Sequence, residues 1–279
     1  MEKYLMSKSQ LSLHAQAATN EDLIKAMENN FYAHSSYIAQ RSRGIEVIDN
    51  DYLLAISTGF LGRAILPDDE IKIRNIIELV KRYYNFHDFS WYVTPCSKPE
   101  NLTTLLNKYG FRLTKAEPGM VLNIKHEDLL KPTYKGLSLS LVDSQVALDY
   151  FDQLYAEIWN CQARHYFTNA KEIILQSNCP LELYVGYAQG QPVAIYELFF
   201  GAGVVGIYSA GVIPIVRNKG IGSSFLSIIL SNIAQRGCEF VMLQSTSMAV
   251  NIYDRLGFRE LCMFYEYKPN KIDSGENPI

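Results

Sequence analysis

The sequence predicts an α/β (α+β) protein of two domains, each a mixed, mostly antiparallel sheet flanked by helices. Three observations predict it. Strand-like and helix-like segments alternate along most of the chain. A length of 279 residues suits two ordinary domains better than one. Near the middle, the polar run Lys131, Pro132, Thr133, Tyr134, Lys135, Gly136 interrupts the alternation. The expected division is residues 1–133, residues 134–268 and a turn-rich tail, 269–279, expected to be disordered.

Composition narrows the function. Apolar residues make up 48% and charged residues 20%, enough to bury a sizeable core. No run of eighteen apolar residues occurs, and the opening residues lack the continuous apolar stretch of a signal peptide. Residues 1–133 carry 16 basic and 16 acidic side chains, and residues 134–279 carry 10 and 13. Neither half has the basic excess that nucleic acid demands, so neither nucleic acid nor membrane is an expected partner. The cysteines at 96, 161, 179, 238 and 262 form no C-x-x-C pair. They read as reduced thiols of a cytoplasmic protein, with no metal site.

In the first half, residues 52–61 and 89–93 read as strands, and residues 67–84 and 99–111 as helices. In the second half, residues 144–159 have helical apolar spacing at Val146, Tyr150, Leu154 and Ile158. Residues 171–177 form a second, short helix. Strands at 181–188, 192–200 and 204–212 are separated by short Gly-containing connections, which predicts an antiparallel meander. Residues 223–236 then form a helix with Phe225, Ile229 and Ile233 on one stripe, capped by Gly237. A buried strand (240–244), a helix (247–256) ended by Gly257 and a last strand (261–267) follow.

The most informative segment joins the strand ending at Val212 to the helix beginning near Ser223: Val212, Ile213, Pro214, Ile215, Val216, Arg217, Asn218, Lys219, Gly220, Ile221, Gly222, Ser223. Glycines let backbone N–H groups converge, and the new helix adds the positive end of its dipole. Such a nest suits a pyrophosphate, with Arg217 and Lys219 neutralising charge at its mouth and Ser223 offering a hydroxyl. A bare Gly-x-Gly is more often an ordinary turn into a helix, and the loop matches neither a Walker A nor a full G-x-G-x-x-G pattern.

The whole string, however, resembles the R-x-x-G-x-G/A motif of the GNAT acyltransferase superfamily at Arg217–Asn–Lys–Gly–Ile–Gly222, preceded by V-x-P at Val212, Ile213 and Pro214. Downstream, Leu243 to Phe258 resembles the superfamily's second hallmark, a strand then a helix carrying Tyr253 and ending in Leu256, Gly257, Phe258. The resemblance covers about residues 137–267. It implies an acetyl-CoA-dependent N-acetyltransferase with a pantetheine arm lying beside backbone groups of Val212 and Ile213. It implies direct attack by an amine on the thioester, and Tyr253 as proton donor to the leaving thiolate. The acceptor would be an amine of a small molecule or of a peptide or protein. Glu197 stands inside an apolar strand, where it faces either the substrate cleft, as a base, or solvent; the pattern leaves both open. The strand 204–212, where some relatives carry a catalytic Glu, has none. That gap keeps an alternative in play, an acyl-CoA-binding regulatory pseudoenzyme.

The first half holds a fainter echo, with a strand at 89–93 followed by a helix ending at Gly110 and Phe111. It resembles a tandem, degenerate GNAT-like domain. Pro67, Asp68, Asp69, Glu70, Ile71 and Lys72 stand where the cradle would be, and Leu106 where Tyr253 would be. Acids at a helix start stabilise the helix but repel a pyrophosphate.

Overall fold

A computed structural model of the chain describes residues 18–84, 89–125, 131–162 and 165–270. In chain order the elements are α1 (Asn20–Tyr37), β1 (Val47–Asp49), β2 (Leu54–Ile56), β3 (Phe60–Gly62), α2 (Glu70–Tyr83), β4 (Ser90–Val93), α3 (Leu102–Lys108) and β5 (Phe111–Asn123). Then come β6 (Leu137–Leu141), α4 (Gln145–Trp159), the short α5 (Tyr166–Asn169) and α6 (Lys171–Ile174), β7 (Leu181–Ala188), β8 (Gln191–Gly201) and β9 (Val204–Val212). The last elements are α7 (Ile221–Gln235), β10 (Phe240–Gln244), α8 (Val250–Arg255) and β11 (Arg259–Pro269). The strands pair mostly antiparallel and are flanked by helices, as the sequence predicts.

Packing divides the chain differently from a break at residues 131–136. One unit joins the described part of Met1–Arg41 to Gly119–Leu261; the other joins Ser42–Pro118 to the described part of Cys262–Ile279. Each unit takes a strand segment from the opposite half of the sequence. In the first, β5 pairs antiparallel with β10, Gly119 facing Gln244 and Asn123 facing Phe240. In the second, Tyr265, Glu266 and Tyr267 of β11 face Val93, Tyr92 and Trp91 of β4. The polar run expected as a linker is bound: the N–H groups of Thr133 and Tyr134 both donate to Ser224 Oγ at 3.1 Å. The strand β11 continues to Pro269, past the expected end at Tyr267, and the expected disordered tail from 271 onward lies outside the described residues.

In the second unit, residues 52–61 form not one strand but the hairpin of β2 and β3, because Gly59 turns the chain and donates to the Ile56 carbonyl at 2.9 Å. A parallel step then links β3 to β4 through α2. Asp69 caps α2, its carboxylate accepting from Lys72 N–H at 3.0 Å. Trp91, Ile77 and Leu106 fill the core.

The first unit's sheet runs β5–β10–β9–β8–β7–β6, with the meander of β7, β8 and β9 antiparallel and β9–β10 parallel. On one face α7 buries Phe225, Ile229 and Ile233, the stripe the spacing predicts, together with Leu226 and Leu230. Each such side chain contributes about 1.5–3 kcal/mol through burial. Arg236 clamps the far end of α7 to β7 through two hydrogen bonds to Glu182, at 2.8 and 3.1 Å. The opposite face carries α4. Its buried stripe is Leu148, Phe151, Leu154 and Ile158, whereas Val146 and Tyr150, expected to face inward, are exposed. The helix has apolar residues on more than one side, so periodicity alone places Leu154 and Ile158 inward correctly but not Val146 and Tyr150.

The sequence pattern assigns nothing to residues 17–51, yet α1 lies there and packs on β8 and β9. A reciprocal capping box starts it, Thr19 Oγ1 accepting from Asp22 N–H while Asp22 accepts from Thr19 N–H. Its inner face buries Leu23, Met27 and Asn30. Asn30 Nδ2 donates to the carbonyl of Gly201 at 2.9 Å and of Phe199 at 3.2 Å, and its Oδ1 accepts from Tyr208 at 2.8 Å. The helix approaches so closely because residue 206 is glycine. A Cβ there would stand 2.2 Å from Asn30 Oδ1 and 2.5 Å from the Tyr208 ring.

Gly206→Ala is therefore expected to lower stability by about 1–3 kcal/mol, the usual cost of overpacking. Gly222→Ala, whose Cβ would meet only Val212 Cγ1 at 3.7 Å, is expected to leave it unchanged. Thermal unfolding of the two variants checks the contrast.

Candidate active site

The site begins where β9 leaves β10. Val205 faces Val241 and Gly206 faces Met242; beyond that rung β9 runs on to Val212 with no further β10 partner among the described residues. The β8–β9 register shifts in the same stretch, between the pairs Glu197–Tyr208 and Ile195–Gly211. Ser209 supplies the irregularity with a left-handed φ of 43°. A strand edge is thus opened over 207–212 while the other edge stays paired with β8.

Backbone alternation decides which groups face the opening. Ile213 N–H donates to the Val193 carbonyl at 2.9 Å, so it is committed to β8. Val212 points its N–H and carbonyl the other way, and so does Ala210. Of the two backbone positions expected to meet a pantetheine arm, Ile213 has its N–H bonded to β8, whereas Val212 and also Ala210 face the open edge.

The chain then makes a 3-10 turn at Pro214–Val216 and enters α7 at Gly220, whose φ of 74° only glycine adopts without strain. No side chain caps this helix. The N–H groups of Ile221, Gly222 and Ser223 have no carbonyl four residues back within the helix, and Ser224 is the first to bond, to Gly220 at 3.1 Å. Ile221 itself anchors the turn in the core. A Cβ at Gly222 would make only ordinary contact, with Val212 Cγ1 at 3.7 Å, so no side chain crowds these N–H groups at that position.

The polar side chains of the loop divide. Lys219 and Asn218 are exposed, Asn218 with a left-handed φ of 61°. Arg217 instead reaches across to α4, donating from Nη2 to the Ile158 carbonyl at 2.7 Å and from Nε to the Val212 carbonyl at 3.2 Å. It braces the loop and leaves three of its five N–H donors for a ligand. Ser223 Oγ donates back to the Gly220 carbonyl at 3.0 Å.

Tyr253 lies on α8, at the same end of the parallel β9–β10 pair, in the apolar cluster that Val212, Ile213 and Val216 border. Phe258 meets its ring edge-on at 5.5 Å. Burial pushes its phenol up to about 12, and the hydroxyl makes no hydrogen bond among the described residues. It is a protonated donor with its proton uncommitted.

Glu197 faces neither solvent nor an open cleft. It is 4% exposed and sits under α1, where His34 Nε2 approaches Oε1 at 2.8 Å. The His34 ring stacks flat on Tyr208, centroids 3.7 Å apart. Burial, then the Glu197 charge, holds the Tyr208 phenol well above its ordinary range. The same two causes, in that order, push Tyr166 to about 12. His34 is 163 positions from Glu197 in the chain, so no sequence spacing could have linked them. No group of three or more His, Cys, Asp or Glu among the described residues could hold a metal, and no described helix is long and apolar enough to cross a membrane.

The family model of the acetyltransferase (GNAT) family matches residues 148–258. No curated protein matches the chain. Solved structures match both units. A GCN5-related N-acetyltransferase from Kribbella flavida has a TM-score of 0.65 at 15% identity, covering 89% of this chain and 97% of its own. One from Sphaerobacter thermophilus has a TM-score of 0.61 at 13% identity, covering 94% and 97%. A tandem GNAT protein from the clavulanic acid biosynthesis pathway has a TM-score of 0.59 at 9% identity, covering 95% and 97%. At such identities these likenesses show the fold. The family match does not favour a domain that binds acyl-CoA without turnover. Residues 148–258, the stretch the family model matches, are an acetyltransferase domain of the GNAT family.

Proposed function

We propose that the chain is an acetyl-CoA-dependent N-acetyltransferase whose donor site is built by residues 210–223. One observation carries the reading. The open edge of β9, ending at Val212, leads without a break into the uncapped start of α7. A ladder of N–H groups for an amide-bearing arm and a nest for a pyrophosphate are thereby joined in the order that CoA requires. Acetyl-CoA supplies the acyl group as a thioester. Ala210 and Val212 orient the arm and polarise its carbonyl, and Ile221, Gly222 and Ser223 hold the phosphates. Lys219 and the spare donors of Arg217 balance their charge. Tyr253 gives its proton to the sulfur as a neutral amine attacks directly. The acceptor is an amine of a small molecule or of a peptide or protein, and the protein works in the cytoplasm.

The second unit is read as a degenerate copy. Its parallel step β3–α2–β4 repeats the step β9–α7–β10, but Asp68, Asp69 and Glu70 stand at the start of α2. Asp69 already fills the capping role that a phosphate would take.

Isothermal titration is expected to give low-micromolar or tighter binding of acetyl-CoA at one site per chain. The carboxylates at the start of α2 repel a pyrophosphate, and Asp69 already occupies the helix start. Two equivalent sites would overturn the degenerate reading. Gly222→Phe is expected to abolish binding while the thermal transition survives; unchanged affinity would remove residues 210–223 as the donor site.

Tyr253→Phe is expected to cut kcat roughly 10- to 10⁴-fold with little change in acetyl-CoA affinity. Its raised phenol has a second signature. At pH 10 an ordinary tyrosine is about half ionised, but the tyrosinate absorbance of the wild type minus that of Tyr253→Phe is expected to be near zero there. A full half-tyrosine difference at that pH would show the hydroxyl to be solvated.

A further inference from the structure

We propose that His34 of α1, oriented by Glu197, is the base that takes the proton from the attacking amine. The inference rests on the transferase reading above and adds to it the residue that the motifs do not supply.

A polar layer lies between α1 and the sheet face opposite α7. Glu197 and Tyr208 are directly facing partners on β8 and β9, at the last rung before the register shift. That rung lies two residues before Ala210, so it adjoins the stretch of β9 assigned to the thioester. His34 covers both partners, its Nε2 on the carboxylate at 2.8 Å and its ring flat on the Tyr208 ring. Phe199 closes one side, edge-on at 5.6 Å. The pose is held from one turn away by Asn30, tied to the carbonyls of Gly201 and Phe199 and to the Tyr208 hydroxyl.

Three features single out His34 as the base. Glu197, buried and acceptor-only when ionised, makes Nε2 the donor nitrogen. The lone pair is then on Nδ1, which makes no hydrogen bond among the described residues. The imidazolium formed by proton uptake stays in contact with a carboxylate, so charging the ring in a partly buried place is compensated. Finally, position 206 of β9 has no room for a base on this face. A side chain at 206 would collide with Asn30, so the proton acceptor comes from the helix laid over the strand.

In the step, the amine nitrogen forms its bond to the carbonyl carbon as the carbon–sulfur bond breaks. The surplus proton on nitrogen passes to His34 Nδ1, and the thiolate takes one from Tyr253. Solvent then restores both groups.

The experiment uses the full chain and His34→Gln, which keeps a donor for Glu197, with Glu197→Gln beside it. Acetyl-CoA affinity and the thermal transition are measured with turnover, for alkylamines and for anilines. The expected result is a loss of about 10²–10⁴-fold in kcat with alkylamines. The loss should be smaller with anilines, which are already neutral and shed a proton more easily. Donor affinity and melting temperature should be unchanged. Nitrogen-15 spectra of the free protein are expected to show His34 protonated on Nε2 and bare on Nδ1, a pattern lost in Glu197→Gln. A His34→Gln enzyme within threefold of wild type would overturn the proposal, as would an equal loss across all amines accompanied by a lowered melting temperature. A protonated Nδ1 would do the same. A wild-type chain that binds acetyl-CoA but acetylates no amine would instead sink the transferase reading, and this one with it.

Discussion

The geometry of the site follows from one backbone event, the separation of β9 from β10 after the rung at Gly206 and Met242. A paired strand has no N–H groups to offer, and an unpaired one buried in protein is costly. Here the cost is contained by the register shift at Ser209, which keeps β9 paired with β8 while its other edge opens. The clamp of Arg236 on Glu182 at one end of α7 and the anchored Ile221 at the other fix where the uncapped helix start points. The opening, the nest and the buried phenol of Tyr253 are therefore positioned by the same strand pair.

What the sequence made legible was local. The loop 212–223 could be read because its features lie in consecutive residues: glycines, two cations and a strand–helix junction. Even so, reading residues as letters missed which backbone groups face the gap. Ile213 is bonded to β8 through Val193, whereas Ala210 and Val212 face the open edge. That distinction depends on strand parity past the irregularity at Ser209, which no composition reveals. Arg217 shows the same limit. Its charge was evident, but not its reach to the Ile158 carbonyl on α4.

What stayed hidden was carried by pairings far apart in the chain. The helix α1 buries Asn30 and lays His34 on the sheet, so the stripe that should announce an amphipathic helix is broken by polar residues at its functional positions. Those residues interrupt the apolar pattern because they bond to β8 and β9, a local inconsistency of the kind expected at a site. The unit boundaries were hidden for a related reason. The strands β5 and β11 follow their own helices in sequence, yet β10 pairs with β5 and β4 with β11. Hydrophobic alternation reports that a strand is half buried; it does not report against which partner.

The two faces of the sheet in the first unit also carry opposite electrostatic tasks. At the start of α7 lie uncapped helix-end N–H groups and the exposed Lys219, while Arg217 reaches across to α4. On the α1 side, a carboxylate is buried beneath an imidazole, and two neighbouring phenols, Tyr208 and Tyr166, are pushed up partly by its charge. A buried carboxylate with no partner would cost several kcal/mol. Glu197 is kept in an apolar strand because His34 meets it, and His34 is there because Gly206 lets α1 approach the sheet. A group that must accept a proton gains from a fixed negative neighbour, and a group that must bind a polyanion loses from one.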